Sequence, residues 1–479
     1  MSTPKPDNSA NNTTNPSVSP QAARILPFIV GCALFMQMLD STVVTTALPA
    51  MALALDSDPV SLNIAITSYL LSLAVFVPIS GWAADRFGAR KIFMIAIGLF
   101  TVSSLTCALS TSLLHLVLSR VAQGIGGAMM VPVGRIILLR TIPKHDLLRA
   151  MAFLSLPALI GPLIGPPLGG FLVTYASWHW IFLINLPIGL FGIWMVRRYV
   201  VELPQDGKQH PLDFVGFLLS ALCMACLMGG FEALGTSEAS WSLTTALITT
   251  GLTTGVLYYF HSKRCPHPIL DLTLLRIPTF SASMVAGNLC RFTIGSNPFL
   301  MAILLQVSFG LSALSAGMIT FAGAIGSIAM KFVAPPILRR WGYRNVLTFN
   351  GILTSVCTIL CIIFTATTPV WVISGVLLLG GFFRSLQFTA VNTLTFADVS
   401  HAGMSRASSF AAMGQQLGVS LGVGVAACTL NLSMNLRQAN TINPSDVTAG
   451  FIVIGFLCGL ASLLFWRMAP NAGESLQRR

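Results

Sequence analysis

Charged side chains make up only 9% of this 479-residue chain, about a third of the share usual in soluble proteins. With 15 acidic residues in all, there is too little charge to coat a water-soluble surface of this size. Other features are missing as well. No Walker A loop and no H-E-x-x-H motif occurs, which argues against an ATP-driven pump and a zinc hydrolase. No run of residues marks a channel selectivity filter. Met1 to Ala23 is rich in Asn, Ser, Thr and Pro, without the basic and apolar regions of a signal peptide. A disordered cytoplasmic tail over 1–24 is the expectation there.

The ten cysteines imply neither a disulfide framework nor a metal. Cys223/Cys226 and Cys357/Cys361 sit one helical turn apart inside apolar segments. A buried C-x-x-C with no second pair and no nearby His is a poor zinc site. The seven His fall in loops or near helix ends, away from mid-membrane pairs that could hold haem. No cofactor and no metal is expected.

What the chain does have is apolar length. Hydrophobic residues make up 54% and mean hydropathy is +0.79. Stretches of about 20 apolar residues, enough to cross a hydrocarbon core of ~30 Å, recur from end to end. They predict an all-α polytopic membrane protein with about fourteen spans. The spans fall near 25–51, 60–84, 91–110, 113–140, 148–174, 180–201, 213–235, 241–260, 280–307, 312–337, 346–366, 369–395, 404–432 and 448–468.

The net charge of +12 is spread over short clusters between spans, such as Arg86/Arg90/Lys91, Arg197/Arg198 and Arg339/Arg340/Arg344. That is the pattern of cytoplasmic loops, not of a nucleic-acid surface. It places both termini in the cytoplasm and leaves only Arg437 in an outer loop. Asp85-Arg86-Phe87-Gly88-Ala89-Arg90 after the second span parallels Arg339-Arg340-Trp341-Gly342-Tyr343-Arg344 after the tenth. The repeat predicts two six-helix bundles, 25–202 and 276–468, with two extra helices in 203–275 and a tail at 469–479. Parallel repeats of this kind are a known transporter design.

One carboxylate, Asp40, lies near the middle of the first span among Phe35, Met38 and Val43. A charge at the bilayer centre costs roughly 2.5–3.5 kcal/mol even on lenient scales, so it needs a partner or a task. At ~1.5 Å per residue, Asp40 is roughly 22 Å from the inner end of its span. Arg120 is roughly 10 Å below the outer end of the fourth, at nearly the same depth. The two are expected to face each other, directly or through Gln123. An adjacent Arg favours the ionised carboxylate, and burial without it favours the protonated form. Separation of the pair would load a proton. The alternative, a fixed structural ion pair, stays open.

Five segments carry a family likeness. Gly81-Trp82-Ala83-Ala84-Asp85-Arg86-Phe87-Gly88-Ala89-Arg90-Lys91 resembles the G-x-x-x-D-R-x-G-x-R-K loop signature of the major facilitator superfamily. Arg120 to Ala128 resembles that family's Gly-rich fourth-helix signature. Gly161-Pro162-Leu163-Ile164-Gly165-Pro166-Pro167-Leu168-Gly169-Gly170 is similar to the antiporter motif of its exporters. Leu39 to Pro49 and Trp178 to Gly189 further resemble the fourteen-span drug:proton antiporter family of EmrB/QacA type. Here His179 stands where that family usually has Arg, and Arg339 stands where the first-half loop has Asp85.

The resemblance implies the major facilitator fold in a multi-pass protein of the bacterial cytoplasmic (inner) membrane. Its expected activity is proton-coupled export of amphipathic drugs or toxic small molecules by alternating access. Gly81, Asp85, Arg86, Gly88, Arg90 and Lys91 would form a conformational latch. Protons, a small-molecule substrate and the lipid bilayer are the expected partners of a monomer, with room for a periplasmic adaptor. Phe35, Met36, Gln123, Met129, Arg291, Phe292 and Arg384 are candidates to line the substrate cavity. Arg291 and Arg384 lack an evident acidic partner, which keeps a dedicated organic-anion or metabolite exporter open as the alternative. A non-transporting sensor is a further one. Arg135 and Lys331, near inner helix ends, are expected to snorkel, and Glu232 to be interfacial.

Overall fold

The computed structural model describes residues 20–56, 64–142, 144–202, 211–234, 240–400, 403–438 and 442–476. Most of the expected N-terminal tail therefore lies outside the described residues. The described residues hold sixteen α-helices and no strand. The first part of the chain forms α1 (Pro20–Ala54), α2 (Ile64–Phe76), α3 (Ile79–Phe87), α4 (Ala89–Ala108), α5 (Leu113–Thr141), α6 (Lys144–Tyr175), α7 (Trp180–Leu183) and α8 (Asn185–Tyr199). Two middle helices follow, α9 (Phe214–Ala233) and α10 (Trp241–Arg264). The last part forms α11 (Pro278–Ala302), α12 (Ala313–Trp341), α13 (Tyr343–Leu360), α14 (Val370–Leu394), α15 (Met404–Leu436) and α16 (Pro444–Trp466).

Two expected spans are broken. The one predicted at 60–84 divides into α2 and α3, bent by 58° where Pro78 interrupts the backbone ladder. The one at 180–201 divides at Ile184 into α7 and α8. Counting each pair as one rod gives fourteen rods among the described residues. Ten candidate spans are long and apolar enough to cross a membrane, and the bent pair makes an eleventh. Helix α10 is Thr-rich, yet its hydroxyls are spent within the helix: Thr249 donates to Thr245 O and Thr253 to Thr249 O, both at 2.7 Å. Satisfied in this way, polar side chains are tolerated away from water.

Helix pairing repeats along the chain. Helix α1 packs on α6 and α8, α2 on α5, and α4 on α5 and α8. In the same order, α11 packs on α15 and α16, α12 on α14, and α13 on α14 and α16. The loops repeat too. Gly88 at φ 90° and Gly342 at φ 75° make the two tight turns in a region L side chains avoid. Just beyond, Arg90 donates to Arg197 O at 2.9 Å at the end of α8, and Arg344 donates to Trp466 O at 3.0 Å at the end of α16.

Between the halves, α3 and α5 touch α15, and α6 touches α12 and α14. The pair α9–α10 attaches through α9 to α2 and α15. Buried apolar side chains divide unevenly. One cluster spans both halves at the end that carries the chain termini, joining Ala84, Ala89 and Leu147 to Leu338, Ala407 and Phe465. Towards the other end the halves have separate cores, one around Val43, Ala47 and Phe182 and one around Leu300, Leu430 and Phe451. The molecule is thus sealed between its halves at the terminal end and divided at the opposite one.

One tail expectation needs correction. The first helix begins at Pro20, not at 25. The C-terminal segment is docked: Glu474–Leu476 forms a short 3-10 turn, and Leu476 is buried in the shared core with Tyr343 and Leu394. Burying one Leu there is worth roughly 1.5–3 kcal/mol, enough to hold a short segment down.

Candidate functional site

Asp40 sits on α1 where Ser41 and Thr42 return their hydroxyls to Met38 O at 2.9 and 3.0 Å. Its carboxylate reaches side chains of other helices. Arg120 of α5 donates to Oδ2 at 2.5 Å. Gln123 of α5 and Asn185 of α8 donate to Oδ1 at 2.9 and 3.1 Å. Both charged side chains are 0% exposed.

The other contacts hold the donors in place. Arg120 Nε donates to Ala65 O at 3.1 Å, and its guanidinium lies 4.3 Å over the Tyr69 ring. Ser104 Oγ of α4 accepts from Gln123 at 2.8 Å and from Asn185 at 3.2 Å. Five helices of the first half thus meet around the Asp40–Arg120 pair. Removing either charge alone would leave the other buried and uncompensated, at a cost of about 3–5 kcal/mol.

The depth argument placed Asp40, Arg120 and Gln123 together; Asn185, Ser104 and Tyr69 were not foreseen as partners. Asn185 had a signal, as the Asn of the Ile-Asn-Leu-Pro-Ile-Gly segment, but nothing in its sequence position showed which helix it would face.

The Gly-rich segment of α6 lies against the same stretch of α1. A Cβ on Gly161 would come 2.9 Å from Met38 Cβ, and one on Gly165 would come 2.1 Å from Thr42 Oγ1. Two turns of α6 therefore press against the backbone flanking Asp40. Gly169 is buried, while a Cβ on Gly170 would meet nothing within 4 Å. The side chains of Pro162 and Pro166 lie outside the described residues.

At the terminal end, Asp85 of α3 accepts from Arg140 of α5 at 3.0 Å and from Ser405 of α15 at 2.5 Å. Arg140 also donates to Ser405 at 3.0 Å. One turn away Ser80 bonds Ser409 at 2.9 Å, and a Cβ on Gly81 would fall 2.6 Å from Ser405 O. Asp85 therefore ties the first half to the second. Arg90 caps α8 instead, with Glu202 at 3.7 Å. Arg86 is half-buried and Lys91 exposed, and neither joins the Asp85 cluster.

In the second half, Arg291 donates to Asn288 Oδ1 and Asn392 Oδ1, both at 2.8 Å. Side-chain amides thus hold it in place of a carboxylate. Arg384 lines the same small cavity, with Thr354 and Gln387. Arg135 and Lys331 do not snorkel: they are 7% and 4% exposed. Lys331 donates to Thr389 Oγ1 at 2.6 Å, and Arg135 lies over the Phe396 ring at 5.8 Å. The closed packing between halves encloses both stems before they can reach an aqueous boundary. None of these four cations bonds a carboxylate among the described residues. Met36 and Phe292 belong to the packed cores; Phe35 and Met129 are partly exposed, and Glu232 is exposed.

A repeated pair of helical bundles, closed at one end and holding a sealed ion pair at mid-depth, defines a polytopic membrane transporter. The Major Facilitator Superfamily profile matches residues 30–423 and 283–479, and the chain belongs to that superfamily. It is 40% identical over 466 residues to a Cronobacter sakazakii protein named "Putative multidrug resistance protein MdtD", covering 95% of this chain and 97% of that one. A Salmonella typhimurium protein of the same name is 40% identical over 469 residues, with the same coverage. Among solved structures, the proton:xylose symporter XylE superposes with a TM-score of 0.65 at 15% identity, covering 95% of this chain and 98% of its own. The human organic anion transporter TETRAN gives 0.64 at 16%, covering 92% and 99%. These two likenesses establish the fold.

Proposed function

We propose that the protein exports amphipathic drugs or toxic small molecules across the bacterial inner membrane in exchange for protons. The observation that carries this reading is the Asp40–Arg120 pair, closed over by Gln123 and Asn185 in the bundle interior. In the form seen here Arg120 donates to Asp40 and the pair is out of reach of water. A rearrangement that withdraws Arg120 leaves a buried carboxylate, whose stable form is the protonated one. Return of Arg120 expels that proton. If uptake and release face opposite sides, each cycle draws on the membrane potential, about 2.3 kcal/mol per charge per 100 mV.

With both termini in the cytoplasm, the sealed end is the cytoplasmic one, and Asp85, Arg140 and Ser405 latch the outward-facing form. A single chain suffices for this cycle; an adaptor would be needed only to carry cargo across a further membrane. The names of the 40% identical relatives favour drugs as the cargo. A second reading, a dedicated exporter of organic anions, is favoured by buried Arg135, Arg291 and Lys331 and half-buried Arg384, none of which bonds a carboxylate among the described residues.

Everted vesicles test both readings. A proton gradient should drive uptake of an amphipathic dye under the first, and of an organic acid in preference to a cationic dye under the second. Transport that persists at full extent after the gradient is collapsed would contradict the coupling common to both.

A further inference from the structure

The middle helices α9 and α10 carry chemistry that transport does not use. Asp213 caps the start of α9, accepting from Gly216 N at 2.8 Å. Its Oδ1 also meets His261 Nε2 at 2.8 Å, from the last turn of α10, and its Oδ2 accepts from Ile269 N at 3.3 Å. Cys265 follows directly, with its N–H on His261 O at 2.9 Å, so the thiol lies one turn beyond the imidazole. One donor atom from each of Asp213, His261 and Cys265 lies within 4.8 Å of the others. Capping and ion pairing explain the carboxylate and the imidazole. They leave the thiol unexplained, since it has no hydrogen-bond partner among the described residues.

We propose that Asp213, His261 and Cys265 bind a divalent transition-metal ion, zinc foremost. Carboxylate oxygen, imidazole nitrogen and thiolate sulfur are the three donor types zinc takes, and three protein ligands leave the fourth tetrahedral position to water. The thiolate disfavours magnesium and calcium, which take oxygen donors. All three residues are half-buried, so an ion can enter from solvent. The carboxylate is already oriented by Gly216 N and Ile269 N, the supporting shell such sites need.

The ion would join the start of α9, the end of α10 and the segment leading into α11. That segment is held further on by Tyr258, whose hydroxyl bonds both Leu270 N and Leu270 O at 2.8 Å, and by Asp271, which accepts from Arg406 at 2.9 Å. Arg406 is the residue after the Asp85 partner Ser405. The metal would thus brace the helix pair against the helix that carries the latch. Binding releases the thiol proton, so affinity rises with pH.

The test is a Co2+ titration of the purified full-length protein, followed by absorbance for the thiolate-to-cobalt charge-transfer band. A band that Zn2+ displaces is expected for the parent protein and for Cys428→Ser, which removes an exposed thiol elsewhere. Cys265→Ser, which keeps every hydrogen bond of Asp213, should abolish the band while the protein elutes as the parent does. His261→Gln should weaken binding at least about tenfold. Absence of the band in the parent, or its survival in Cys265→Ser, would overturn the site.

Discussion

Asp40 accepts hydrogen bonds from an Arg, a Gln and an Asn that reach it from two other helices. Stability therefore rests on the same side chain that is proposed to carry the proton. Arg120→Ala is expected to destabilise the purified protein by about 3–5 kcal/mol, because it leaves the carboxylate buried without its partner. The double variant Asp40→Asn/Arg120→Ala should lose clearly less than the sum of Asp40→Asn and Arg120→Ala, since it removes both charges. Thermal melting of the four proteins in one detergent reads this directly; strict additivity would mean that the charges do not interact. How far such a site can be read from sequence is set by geometry. Depth follows from counting residues, so the match of Asp40 with Arg120 was legible. Rotation about each helix axis does not follow from counting, so the inward-facing Ser104, Tyr69 and Asn185, and the enclosure of Arg135 and Lys331, emerged only from packing.

At the level of elements, apolar length and positive clusters announced the rods, and the paired Arg-aromatic-Gly loops announced their repetition. Breaks inside rods were hidden, because a Pro such as Pro78 is tolerated in membrane helices and leaves hydropathy unchanged. Helix contact gives a sharp contrast between two glycines of one motif. Gly165→Leu should force α6 off α1, since even its first carbon would lie 2.1 Å from Thr42 Oγ1. Monodisperse protein should then fall steeply in size-exclusion chromatography. Gly170→Ala, with nothing within 4 Å, should behave as the parent. Equal behaviour of the two variants would show that the α1–α6 contact does not set the packing around Asp40.

For the whole molecule, the uneven core is the mechanical statement: one apolar cluster shared by both halves at the terminal end, separate clusters towards the other. Asp85, Arg140 and Ser405 add a polar tie at the shared end. A hydrogen bond to a charged group is worth about 1.5–3 kcal/mol, less at a carboxylate that is 38% exposed. Asp85→Asn should therefore shift the closed-to-open ratio at that end by roughly tenfold, a step of about 1.4 kcal/mol. Distances between spin labels on the terminal ends of α3 and α15 would record it as a new, longer population. An unchanged distribution would remove Asp85 from the latch.

If Asp40 carries the proton that drives export, its amide variant cannot couple cargo to the gradient. The most direct measurement reconstitutes the parent and Asp40→Asn in proteoliposomes at equal amount and orientation, imposes a proton gradient, and follows accumulation of cargo against its own gradient. The parent should concentrate cargo and Asp40→Asn should only equilibrate it. Accumulation by Asp40→Asn to the level of the parent would contradict the account.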